Sequence, residues 1–213
     1  MTERLASHPF WGKDSPLTSL ASLGLVLLAS GRMAFALVSA AAYIWVAMGT
    51  SLIAFLLAAA LPKRGRSVVL VLLATFFFVL FLLALTLLSP IMALEMTIPL
   101  LLVPIAFITS GVCSRLKGAS LGPALARVLY EGVILGLILV ALALIREPLG
   151  FGCLSVPDAQ GVREVFGSEF AAGAAVRLFA GTSGALILLG YLVALFRSLR
   201  NLVADQAAPG SRE

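Results

Sequence analysis

Long apolar runs, rather than a strand-like alternation or an amphipathic helical period, dominate the chain. Leu17–Ala29 is apolar but shorter than the roughly 20 residues that a bilayer-spanning helix needs. Met33–Leu61 reads as a long helix, and Val68–Leu88 as a second clean span closed by Ser89-Pro90. A fourth apolar segment at 92–112 contains Met96–Val112, MTIPLLLVPIAFITSGV. There Pro99 and Pro104 each remove a backbone donor and crowd the preceding turn, so a straight, regular helix is not expected. In a membrane an interrupted helix persists only where its freed backbone groups are buried in protein or line a cavity. Leu125–Ile145 is the fifth span. A loop at 146–168 follows with the turn formers Pro148, Gly150, Gly152, Pro157 and Gly161, and the last span covers 169–196.

This pattern predicts an all-α, polytopic membrane protein with six transmembrane segments in a single membrane domain. Its parts are a tail at 1–15, a first half at 16–91, a second half at 92–200 and a tail at 201–213. Each half reads as a short irregular segment followed by two helices. Leu28-Ala29-Ser30-Gly31 near the end of the first segment parallels Ile108-Thr109-Ser110-Gly111 near the end of the fourth. Three spans per half would insert the halves in opposite senses, an inverted 3+3 repeat with broken first and fourth segments. A cleaved signal peptide is the alternative reading of residues 1–30, with its positive flank, short apolar core and LLASG. Asp14 abutting the core favours the membrane segment.

Composition narrows the classes. Of 213 residues 61% are hydrophobic and 12% charged, more apolar surface than a soluble domain of this length covers. The bilayer is therefore the first partner. A net charge of +5 does not imply nucleic acid, because the basic residues fall in short loops between apolar runs. No separate globular catalytic module is expected, and one His with two Cys is too little for a metal cage from this chain. With the N-terminus inside, the inner side carries Arg4, Lys13, Lys63, Arg64, Arg66, Arg115, Lys117, Arg127, Arg197, Arg200 and Arg212. The outer side carries only Arg32, Arg146, Arg163 and Arg177. That asymmetry predicts both termini in the cytoplasm and the 146–168 loop outside. His8 and Trp11 then belong to a solvated tail and its interfacial anchor.

Glu95 and Glu131 are the acids within or beside the central spans. An intramembrane carboxylate marks an ion path or a paired charge. Arg127 stands one turn before Glu131, so a local ion pair is the simpler reading and ion or proton handling the other. Glu95 lies near the outer boundary, within reach of solvent. Gly132 and Gly136 form a small-xxx-small pair, read as close helix packing ahead of a ligand groove. Phe76, Phe77, Phe78 and Phe81 face lipid or neighbouring helices. Cys113 and Cys153 fall on opposite sides of the predicted membrane, too far apart for a disulfide. Arg146-Glu147-Pro148-Leu149-Gly150-Phe151-Gly152 reads as a helix stop, with charges at the interface, Pro ending the ladder and Gly permitting positive φ.

Three strings resemble the six-helix membrane subunits of the Rnf and Na⁺-translocating NADH:quinone oxidoreductase complexes (the Rnf A/E and Nqr D/E type). Ile98-Pro99-Leu100-Leu101 is similar to the Ile-Pro-Leu-Ile that opens that family's fourth segment. The string at 146–152 is similar to its Arg-Glu-x-Leu-Gly-x-Gly ending of the fifth helix. Ser183-Gly184-Ala185-Leu186 sits where the last helix has Pro-Gly-Ala-Phe. Spacing and length fit over most of residues 15–200. The resemblance implies a bacterial inner-membrane component of a redox-driven cation pump, working with other subunits of a redox complex or a paralogous partner. It also implies a [2Fe–2S] cluster held by half-helix cysteines of two paired subunits. The expected cysteine positions are here Val26 and Ile105, and neither side chain can ligate iron. Pro99, Pro104, Glu131, Arg146, Glu147, Gly150 and Gly152 stand as ion-path or structural candidates, with no catalytic, cofactor-binding or metal residue in this chain. A standalone small transporter or substrate-binding component, and a structural assembly subunit, are the readings of other classes.

Overall fold

The computed structural model describes residues 29–57, 66–110, 121–158, 160–166, 177–181 and 183–191, with 194–195 and 198. Six helices are delimited: α1 (Met33–Leu56), α2 (Arg66–Leu88), α3 (Pro90–Glu95), α4 (Thr97–Thr109), α5 (Leu121–Phe151) and α6 (Arg177–Ala180). Residues 183–191 are helical as well. The helical core of α1, of α2 from Ser67, and all of α5 are long and apolar enough to cross a bilayer. The surface agrees with that reading. On α2 only Ala74 and Phe78 are buried, while Leu72, Leu83 and Leu87 are 64%, 57% and 81% exposed. Leaving such side chains in water forgoes about 1.5–3 kcal/mol each, a cost that lipid or a protein neighbour removes.

The core forms where α1 packs on α5, and the small residues of both make it possible. A Cβ on Gly136 would stand 3.1 Å from the Ala40 methyl, and one on Gly132 would stand 3.0 Å from Ile44. As the numbers fall along α1 they rise along α5, so the pair is antiparallel. Close packing, not a groove, is what these glycines provide. On another side of α1 the Phe77 ring lies directly over Gly49, while Phe78 is buried and Phe76 is 56% exposed. The third neighbour of α1 is α4, where the Tyr43 and Phe107 rings meet edge to face at 6.4 Å.

Several elements depart from the sequence expectation. The 146–168 region is not all loop, because α5 runs on to Phe151 and an antiparallel hairpin follows, β1 (Leu154–Asp158) and β2 (Gly161–Phe166). The fold is therefore helical with one two-stranded sheet. Pro148 sits inside the last turns of α5, and the helix ends instead at Gly152, whose φ of 67° a side chain would resist. The fourth segment is interrupted, but not at its prolines. Ser89 caps α3 through Met92 N–H with Pro90 as first helical residue, and the irregular residue is Met96 at φ −95°, ψ 1°. Hydrogen bonds from Met96 N–H to Met92 O and from Leu100 N–H to Met96 O carry the ladder across it, leaving a kink. Pro99 falls in the first turn of α4, where a missing N–H costs little, and Pro104 lies inside the helix on its buried face. The last segment is interrupted too, at Gly181, between α6 and the helix at 183–191. Residues 17–28 of the first apolar run, Val26 among them, and Cys113 lie outside the described residues.

The α1–α5 contact yields a paired prediction. Gly136→Val forces a branched side chain against Ala40 and should lower stability by about 1–3 kcal/mol. Gly190, beside which a Cβ meets nothing within 4 Å, should accept Ala without loss. Thermal unfolding of the purified protein in detergent checks both.

Candidate functional site

The most concentrated chemistry lies at the end of the bundle where α1 begins and α5 finishes. Arg32, at the N-cap position of α1, makes no side-chain cap. The exposed amides of that helix start are met from elsewhere in the chain. Met33 N–H donates to Glu147 Oε2 at 2.8 Å, and Ala34 N–H donates to Ser155 Oγ at 3.5 Å. A carboxylate suits this place, because the helix start carries partial positive charge. Glu147 is fully buried, and its other oxygen, Oε1, has no hydrogen-bond partner. The register irregularity between Leu154 and Ser155 in β1 is what an inserted residue does to a ladder, and it lies beside the serine that caps Ala34.

Arg146, the preceding residue, turns to a different element. Its Nε donates to Phe179 O at 2.8 Å, and its Nη2 donates to Ala180 O and Gly181 O, both at 3.0 Å. Its Nη1 donates to Ser30 Oγ at 3.1 Å. A planar guanidinium with five donors can satisfy such a cluster where an ammonium cannot. These carbonyls lie at the interruption of the last segment. Gly150 lets the chains approach, since a Cβ there would come within 2.7 Å of Ala180 N and 2.9 Å of its Cα. Arg146 is thus 3% exposed without using its neighbour Glu147 as counter-ion. The Arg32 guanidinium lies 5.8 Å from the centre of the Phe151 ring, a cation–π contact closing the same corner. Burial pushes the Cys153 thiol upward, Glu164 and Glu147 push it further, and Arg32 opposes them.

The sequence candidates divide into three groups in space. Arg146, Glu147, Gly150 and Gly152 belong to this corner. Glu131 lies some four turns back along α5, buried, with Arg127 Nε 3.5 Å from its Oε1, the i,i+4 pair that the spacing suggested. Pro99 and Pro104 lie on α4 among the core side chains, and Ile105 beside them is 55% exposed on the outer face. Sequence reasoning did not single out Ser155, Arg32 or the carbonyls of 179–181 as members of a site. Gly181 before Ser183-Gly184 was the one visible mark of the break. Among the described residues no group of three His, Cys, Asp or Glu side chains could hold a metal ion. No family model, no curated protein and no solved structure matches the chain.

The corner separates two substitutions at one position. Glu147→Ala removes the acceptor for Met33 N–H and should cost about 1–2 kcal/mol. Glu147→Gln keeps that acceptor and should cost clearly less. Arg146→Ala leaves the 179–181 carbonyls without their donors, about 2–3 kcal/mol. Ranking the three by thermal unfolding in detergent tests whether the corner is a clamp on backbone. Equal losses for Gln and Ala at Glu147 would contradict it.

Proposed function

We propose that the chain is a divergent subunit of the Rnf/Nqr type, part of a redox-driven Na⁺ or H⁺ pump in a bacterial inner membrane. It acts as scaffold and ion route rather than as an electron carrier, with six segments in an inverted 3+3 repeat and both termini in the cytoplasm. The observation that carries this reading is the antiparallel packing of α1 on α5. These are the second spans of the two halves, and a pseudo-twofold brings such counterparts together in opposite directions. Two further features support it. The fourth segment opens with a kink at Met96, and the Arg146–Gly152 string closes on broken backbone at 179–181. The residues present do not suit a [2Fe–2S] cluster of this chain's own, because the expected ligand positions hold Val26 and Ile105. The apolar faces of α2 and α4 are available to partner subunits or lipid.

Purification of the native complex in mild detergent tests this directly. Flavoprotein and iron–sulfur subunits should co-elute, and the separated chain should carry no stoichiometric iron. A chain that elutes alone and moves a solute in liposomes would instead establish the standalone transporter.

A further inference from the structure

Hydroxyls inside an apolar helix ordinarily satisfy themselves by bonding the carbonyl one turn back. Four threonines here do so: Thr75, Thr86, Thr97 and Thr109 donate to Val71, Leu82, Ala93 and Ile105 carbonyls at 2.7–2.9 Å. Ser39 on α1 does not, and neither do Thr50 and Ser51 further along it. Ser39 is 0% exposed and its Oγ has no hydrogen-bond partner. A buried hydroxyl left without one costs about 1–3 kcal/mol.

The helical wheel places this hydroxyl. Ala40 faces α5 through Gly136, and Gly49 faces α2 through Phe77. At 3.6 residues per turn Ser39 points roughly midway between those directions, on the side of Tyr43, which meets Phe107 of α4. The helices run the same way, since the hairpin touches the start of α1 through Ser155 and the start of α3 through Gly161 against Ile91. One turn before Tyr43 is Ser39, and one turn before Phe107 is Val103, followed by Pro104. Pro104 has no N–H, so the Leu100 carbonyl loses its helical donor at that level. A hydroxyl without a partner thus lies on the side of α1 turned to α4, about level with the Leu100 carbonyl that lacks its helical donor, and the two are not hydrogen-bonded.

We propose that the contact between α1 and α4 holds a bound water molecule, clasped by Ser39 Oγ and the Leu100 carbonyl at the level of Pro104. Water both donates and accepts, which is what this pair requires, and buried waters occupy polar sites of this kind. The result is a polar notch in the contact between α1 and α4, beside the segment that kinks at Met96. It stands independently of the redox reading.

The test is a double-mutant cycle on the full chain in detergent. Ser39→Ala should lower Tm by about 2–4 °C. Pro104→Ala returns an N–H to the Leu100 carbonyl, so in that background Ser39→Ala should have at most half its effect. If Ser39→Ala leaves Tm unchanged or raises it, or if the two changes add, the hydroxyl is a bare orphan and the proposal fails. A Na⁺-over-choline rise in Tm that Ser39→Ala abolishes would place a cation there and equally overturn it. If Pro104→Ala does not fold, high-resolution density decides, with a peak in hydrogen-bond range of both atoms expected and a dry contact contradicting.

Discussion

The close approach of α1 and α5 governs the rest. In lipid, apolar side chains gain little by leaving their surroundings for one another, so helices hold together by packing and by hydrogen bonds between them. Gly132 and Gly136 remove the side chains that would keep the axes apart, and Ile44 and Ala40 fill the space. Once that seam is set, the start of α1 and the finish of α5 come to the same end of the bundle. Glu147 then reaches the amide of Met33, and Ser155 that of Ala34.

The corner so formed divides its charges in an unusual way. Arg146 and Glu147 are adjacent and both buried, yet each is turned to backbone rather than to the other. The carboxylate meets the positive end of α1, and the guanidinium meets three successive carbonyls where the last segment breaks. Peptide dipoles thus replace hydration on both side chains, which offsets part of the cost of burying them. Gly150 belongs to the same device, because a side chain there would drive Ala180 away from the guanidinium. The helical ladder can be interrupted at 181 because these groups stand ready for its freed backbone.

Much of the framework was legible in the sequence. Spans read as Met33–Leu61 and Val68–Leu88 compare with helices at Met33–Leu56 and Arg66–Leu88, since apolar length is a property of composition. The i,i+4 pairing of Arg127 and Glu131 and the close packing at Gly132 and Gly136 were legible too, because both follow from helical spacing alone. What failed depended on position within an element or on distant partners. Pro99 reads as a breaker, yet it is harmless in a first turn, and nothing in the letters marks Met96 as the kink. The hairpin at Leu154–Phe166 was masked by Pro157 and Gly161, which are turn signals in isolation but fit a two-stranded sheet with open edges. Arg146 was legible as an interfacial charge. Its attachment to carbonyls at 179–181 was not, because no local pattern encodes a contact across more than thirty residues.

A cysteine cross-link across the seam tests this account most directly. On a background without Cys113 and Cys153, Ala40→Cys is combined with Gly136→Cys; a Cβ at 136 would stand 3.1 Å from that of Ala40, so the bridge needs the helices to part by only a few tenths of an ångström. Mild oxidation in native membranes should join them within one chain, while Ala40→Cys with Gly190→Cys should stay reduced. Failure of the first pair to cross-link, or equal linking of the second, would contradict the antiparallel contact on which the rest depends.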